Sequence, residues 1–240
     1  MFKQESTGIE VREENGRTYL DVPHLDGKIS FLARAKHPGR YAFVAQDLDK
    51  ANLEQPTMAQ NAALIYSAWQ APKEQYSRKI INILHINWFW GFNGILYSPK
   101  SKGAFIQDRP VIKNYELIMK ESELENKLGS NEENRVVYSN DKAIRFVPFG
   151  YKIEEQKASE LEKNPFIIAL AGEEGAEKLA KVSKKYKYIP NVSSFNEVDE
   201  PLIRVSSLNS VGGWNGNGLS IDSVYFDYDW DCRAFGILKN

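Results

Sequence analysis

The hydrophobic period of the chain changes at Pro56-Thr57, and that change constrains the fold more than any other feature. Before it, apolar and polar residues alternate as they do in half-buried strands. After it, Met58, Ala62, Ile65 and Trp69 recur at helical spacing and form one apolar stripe. Thr57 and Gln60 have capping-box spacing at the start of that stripe. Pro72 interrupts it and, as a first-turn proline, opens a second helix bearing Tyr76, Ile80, Ile83 and Leu84. The segment from about 57 to 87 therefore reads as a helical hairpin whose apolar side must be covered by another layer.

The flanking segments supply that layer. Ile9 to Glu13 and Arg17 to Val22 flank Asn15-Gly16, a pair suited to the positive φ of a tight hairpin. Lys28 to Arg34 and Arg40 to Ala45 read as the next two strands, separated by His37-Pro38-Gly39. Further strands are expected at Gly94 to Ser98, Gly103 to Gln107, Arg135 to Tyr138 and Ala143 to Val147. A short helix is expected near Glu121 to Leu128, closed by Gly129, with Gly129 to Asn134 as a polar surface loop. Asn164-Pro165 has the form of an N-cap followed by an N1 proline. After Gly172, the stripe Ala176, Leu179, Val182 and Tyr186 extends a second helical segment over about 165–187. Strands return from Leu202 onward.

Strands and helices in blocks imply an α+β class: a mixed or antiparallel sheet with the two helical units packed on it. A chain of 240 residues can bury a core without metal or disulfide. One compact domain over 1–240 is expected, with 129–134 as the only candidate division.

Charge and cysteine content narrow the function classes. Lys plus Arg is 31 and Asp plus Glu is 32, a net charge of −1 that gives no global attraction to nucleic acid or an anionic membrane. Nucleic acid and membrane are therefore not expected as partners. The five lysines of Lys178 to Lys187 sit where they complement a helix C-terminus. The apolar run Ile80 to Leu96 contains Asn82, His85, Asn87 and Asn93, too polar for a membrane span. Cys232 is the sole cysteine, which excludes an internal disulfide framework and any multi-Cys zinc site. With no apolar segment at the N-terminus, a cytoplasmic location is expected.

Phosphate-loop and nucleophile-elbow motifs are absent. The glycine cluster Gly212 to Gly218 lacks the Walker lysine and the dinucleotide spacing, and a strand follows it. Tyr138 and Lys142 have dehydrogenase spacing, but on a strand and turn instead of a helix.

Two groups of residues carry the functional candidates. From Ile221 to Asp231 the sequence alternates with period two, which places Val224, Phe226, Tyr228 and Trp230 on one face. Tyr225, Asp227, Asp229 and Asp231 fall on the other. Carboxylates about 7 Å apart along a strand repel unless water, salt or a divalent cation offsets them. Asp227, Asp229 and Asp231 are thus candidate metal ligands, or a charged face that discourages edge pairing. His85, among large apolar residues, is the candidate general base for such a centre, or a hydrogen-bonded core histidine. Trp214 and Asn215 in the glycine loop, with Tyr225, are candidates for holding a ligand by ring stacking and amide hydrogen bonds.

The expected function is a non-catalytic ligand- or partner-binding protein, its partner a small molecule, a glycan or a protein. The alternative is a divalent-metal-assisted transferase or hydrolase built on the three aspartates. Of the 29 aromatic rings, twelve lie between Trp88 and Phe105 or between Trp214 and Phe235. Rings bury large areas, so these two windows are expected to meet in one core.

Overall fold

The computed structural model describes residues 8–210, 218–226 and 232–239. The N-terminal part contains β1 (Glu10–Glu14), β2 (Arg17–His24), β3 (Gly27–Leu32), α1 (Tyr41–Lys50) and β4 (Leu53–Glu54). The helical hairpin is α2 (Met58–Gln70) and α3 (Gln75–Ile86). It leads into β5 (Trp88–Ser98), β6 (Gly103–Asp108), β7 (Val111–Lys113), β8 (Glu116–Ile118) and α4 (Glu121–Glu125). Next come β9 (Leu128–Glu133), β10 (Val136–Ser139), β11 (Ile144–Pro148), β12 (Glu154–Glu155), α5 (Ala158–Leu161) and α6 (Pro165–Tyr186). The last strands are β13 (Ile189–Ser193), β14 (Leu202–Asn209), β15 (Gly218–Val224), β16 (Cys232–Arg233) and β17 (Ile237–Leu238).

The class is α+β. A ten-stranded mixed sheet runs β12-β13-β15-β14-β5-β6-β11-β10-β9, with β16 also on β5. A five-stranded antiparallel sheet runs β1-β2-β3-β17-β4, so the last described strand closes against the N-terminal meander. The central strand β5 is buried on both faces because its side chains alternate between two cores. Phe89, Ile95 and Tyr97 join α2, α3 and α6, whereas Trp90, Phe92 and Leu96 meet α1, α4 and β4. Where they are described, the two aromatic windows meet: β16 pairs with β5, and Phe89 packs edge-on against Phe235 at 5.5 Å.

Local signals set the helix boundaries. The Thr57 backbone N–H donates to Gln60 Oε1 at 2.8 Å, and the Gln60 N–H donates to Thr57 Oγ1 at 3.5 Å. Asn164 Oδ1 caps α6 by accepting from the Phe166 N–H, ahead of Pro165. Gly172, at φ 72°, breaks α6 into two arms in a conformation that an L side chain rarely adopts.

Three local expectations are corrected. Arg40 to Ala45 is the start of α1 and not a strand: Tyr41, Val44, Ala45 and Leu48 are buried at helical spacing. Residues 129–134 are not a free loop but largely strand β9, whose backbone is satisfied by β10 although its side chains are solvated. With pairing on one side only, that strand shows no apolar alternation. The helix before it ends at Glu125, so Gly129 does not close it.

Where β6 enters the sheet, Gly103 faces Pro148 of β11. A Cβ on Gly103 would lie 2.5 Å from the Val147 carbonyl oxygen and collide with the Phe146 ring. Gly103→Ala is expected to cost about 1–3 kcal/mol of stability. Gly27→Ala, whose added carbon meets nothing within 4 Å, should change it by less than about 0.5 kcal/mol. Urea unfolding of the two variants checks the contrast, and equal midpoints would show that the β6–β11 approach relaxes freely.

Candidate functional site

The register of four adjacent strands sorts their side chains into alternating rows. Val192, Ile221, Leu208 and Phe89 stand opposite one another across β13, β15, β14 and β5 and all point into the helix-side core. One residue along, Ser193, Asp222, Ser207 and Trp90 form the next row, which by the period of two faces the other way. One residue to the other side, Asn191, Ser220 and Asn209 form a second row on that same face. The sheet thus presents serines, asparagines and an aspartate where its neighbours present aliphatic groups.

This polar face is largely withdrawn from water. Ser207 and Asn209 are each 1% exposed and Asp222 is 7% exposed. Asn191 and Ser220 are half-buried and Ser193 is exposed, so the face opens to solvent along β13. Buried polar atoms ordinarily have partners, because leaving one unpaired costs about 1–3 kcal/mol. Among the described residues the Ser207 hydroxyl and both polar atoms of the Asn209 amide have none. Among the described residues nothing hydrogen-bonds the Asp222 carboxyl, and burial pushes it up to about 7. Near neutrality it can accept or donate a hydrogen bond. Two strands therefore hold an amide, a hydroxyl and a carboxyl side by side, with no hydrogen-bond partner among the described residues.

A cleft of about 490 Å³ on the helix side differs in this respect. Its floor is the pair Arg145–Asp108, with both guanidinium Nη atoms donating to the carboxylate at 2.8 and 2.6 Å. Arg145 Nε donates to the Ala169 carbonyl at 2.6 Å, and Glu174 pairs with Lys178 at 2.6 Å. These charges already answer one another, which is the signature of a structural network.

The sequence-based candidates lie apart from one another. His85 stands on the exposed side of α3, its Nε2 3.0 Å from the Tyr188 hydroxyl, and partial burial lowers its pKa. Trp69 lies 6.5 Å from its ring. Tyr225 is 53% exposed and supports the Arg204 guanidinium at 3.4 Å from its ring centre. Arg204 stands opposite Ile95 and so shares the helix-side face, away from Asp222. Trp214, Asn215, Asp227, Asp229 and Asp231 lie outside the described residues. Among the described residues, no three His, Cys, Asp or Glu side chains gather as a metal site would require.

Ser207, Asn209 and Asp222 were not singled out from sequence. The signal was there, in Ser207-Leu-Asn209 and Ser220-Ile-Asp222, where polar residues alternate with core aliphatics. Asp222 shares its parity with Val224, so it interrupts the row expected to be apolar.

No protein-family model matches the chain, and no curated protein matches it. A solved structure described as "Accommodation of massive sequence variation in Nanoarchaeota by the C-type lectin fold" is similar at a TM-score of 0.53 and 16% identity. The similarity covers 85% of this chain and 97% of that one. At that identity the likeness is one of architecture: this α+β chain has a fold similar to the C-type lectin fold.

Proposed function

We propose that the protein is a non-catalytic binding protein that holds a hydroxyl-rich ligand, a glycan in the first instance, against the polar face of β13, β15 and β14. The observation that carries this is the set Ser207, Asn209 and Asp222, whose side chains have no hydrogen-bond partner among the described residues. A hydroxyl group both donates and accepts, and so does each member of that set, with Asp222 supplying whichever role its proton allows. The structural neighbour supports a binding role in a second way. Its description is of a fold that accommodates massive sequence variation, and a scaffold tolerant of substitution suits a surface that selects ligands.

A glycan array followed by titration calorimetry tests the proposal. A hit is expected whose affinity falls about tenfold in Asn209→Ala, the loss of two hydrogen bonds at about 0.5–1.5 kcal/mol each. Binding that ionises Asp222 should release a proton, seen as a dependence of the heat on buffer ionisation enthalpy. An array with no hit, or a hit that Asn209→Ala leaves unchanged, would remove the proposal.

A further inference from the structure

Two further clefts, of about 570 and 460 Å³, adjoin through Lys79. The first lies between the β2–β3 hairpin and α3, and its charged lining is Arg17, Arg34, Lys36 and Lys79. The second runs along α3 and adds Arg78 and Arg233. Among the described residues lining either cleft there is no carboxylate. Several cations elsewhere on this nearly neutral chain are matched locally, as in Arg12–Asp21, Lys28–Glu10, Arg109–Glu54 and Lys181–Glu177. In the clefts, and among the described residues, Lys79 Nζ reaches only the Ala33 carbonyl, at 3.3 Å, and Arg233 Nε the Asn87 amide oxygen, at 3.1 Å. Arg17, Arg34, Lys36 and Arg78 make no ion pair with any described carboxylate.

From this belt of charge, unanswered among the described residues, we infer a second binding site, separate from the polar sheet face, for an anionic polysaccharide carrying sulfate or carboxylate groups. Two clefts joined at one lysine fit an elongated ligand with more than one anionic group. Alongside the cations stand Gln75, Asn82 and Asn87, whose amides can bond the hydroxyls between those groups. Nucleic acid is also a linear anion, but its single strands are held by bases stacked on exposed rings. The only aromatic lining either cleft among the described residues is Tyr76, which is half-buried. Low-dielectric walls focus the field of the cations and raise the local concentration of an anion, an effect that salt screens.

A heparin octasaccharide, a hyaluronan octasaccharide and a single-stranded 20-mer DNA serve as probes, titrated at low and at physiological salt. The sulfated chain is expected to bind most tightly, with affinity falling as salt rises. Arg34→Gln with Lys79→Gln should weaken it by about tenfold or more through two lost charge contacts. Both positions are exposed, and an unchanged melting temperature confirms that the variant is folded. The control pair Lys113→Gln and Lys127→Gln makes the same change in net charge elsewhere and should retain binding, as should Asn209→Ala. Oligosaccharide binding that is absent at low salt, lost equally in the control pair, or weaker than DNA binding would overturn the inference. A failure here leaves the polar face untouched, because the two sites share no residue.

Discussion

Asp222→Asn is expected to flatten the pH dependence of stability between about pH 4 and 7 and to make the protein more stable than the parent at pH 8. The Asp222 carboxyl is buried on β15 among serines and asparagines, and burial moves it from 3.8 to about 7. Between those two values the folded state keeps a proton that the unfolded chain has released. Stability therefore falls as pH rises through that window and levels off above it. The contribution is fully present below the ordinary carboxyl value and is lost above the raised one. A displacement of about three pH units corresponds to about 4 kcal/mol, an upper figure because the unfolded chain is not fully solvated. Asparagine keeps the shape and removes the titration, so the difference between the two proteins isolates this group from all others. Urea unfolding at half-unit steps from pH 4 to 8.5 measures it. The curves should converge at the acid end and separate progressively toward pH 8. Parallel curves would mean that Asp222 stays ionised in the fold and that its surroundings are wetter than its 7% exposure implies.

The parts of this fold that were legible in the sequence are those encoded within a few residues. Thr57 and Gln60 mark the start of α2, Asn164-Pro165 the start of α6, and Asn15-Gly16 the first hairpin, because each signal is a local hydrogen bond or a local φ. Arg40 to Ala45 reads as a strand because its valine, phenylalanine and tyrosine resemble strand residues, although the burial of Tyr41, Val44, Ala45 and Leu48 has a helical period. β9 escaped because an edge strand with solvated side chains has no apolar row to detect. Sheet order was illegible for a different reason. That β13 lies parallel to β15, or that β5 separates β14 from β6, depends on pairings far apart along the chain. The same distance hid the candidate site, whose rows exist only once β13, β15, β14 and β5 are side by side. Of the residues singled out from sequence, His85 and Tyr225 each have a described partner, Tyr188 and Arg204, and neither lies on that polar face.

Removing the Asp108 carboxylate is expected to destabilise the protein by about 3–5 kcal/mol, because it strands a buried guanidinium. Arg145 is the more buried partner, with a side chain 9% exposed against 26% for Asp108. Its Nε holds the Ala169 carbonyl of α6, and one Nη also reaches the Lys142 carbonyl at 2.8 Å. Asp108 in turn accepts from Asn93 Nδ2 at 2.6 Å. The Asn93 side-chain oxygen accepts from the Met58 N–H at 2.8 Å and from the Ser206 hydroxyl at 3.2 Å. One carboxylate thus ties β6 to β11, to β5, and through Asn93 to the first turn of α2 and to β14. Asp108→Ala leaves the guanidinium, 9% exposed, with the Ala169 and Lys142 carbonyls as its partners among the described residues. Arg145→Met should cost less, because the carboxylate it leaves behind is partly solvated and methionine fills the space. The double variant should recover part of the Asp108→Ala loss, since the stranded charge is then gone. Urea midpoints of the four proteins at neutral pH give the cycle directly. A cost for Asp108→Ala below about 1 kcal/mol, or a double variant equal to the sum of the singles, would show that solvent already screens this pair as it screens a surface ion pair.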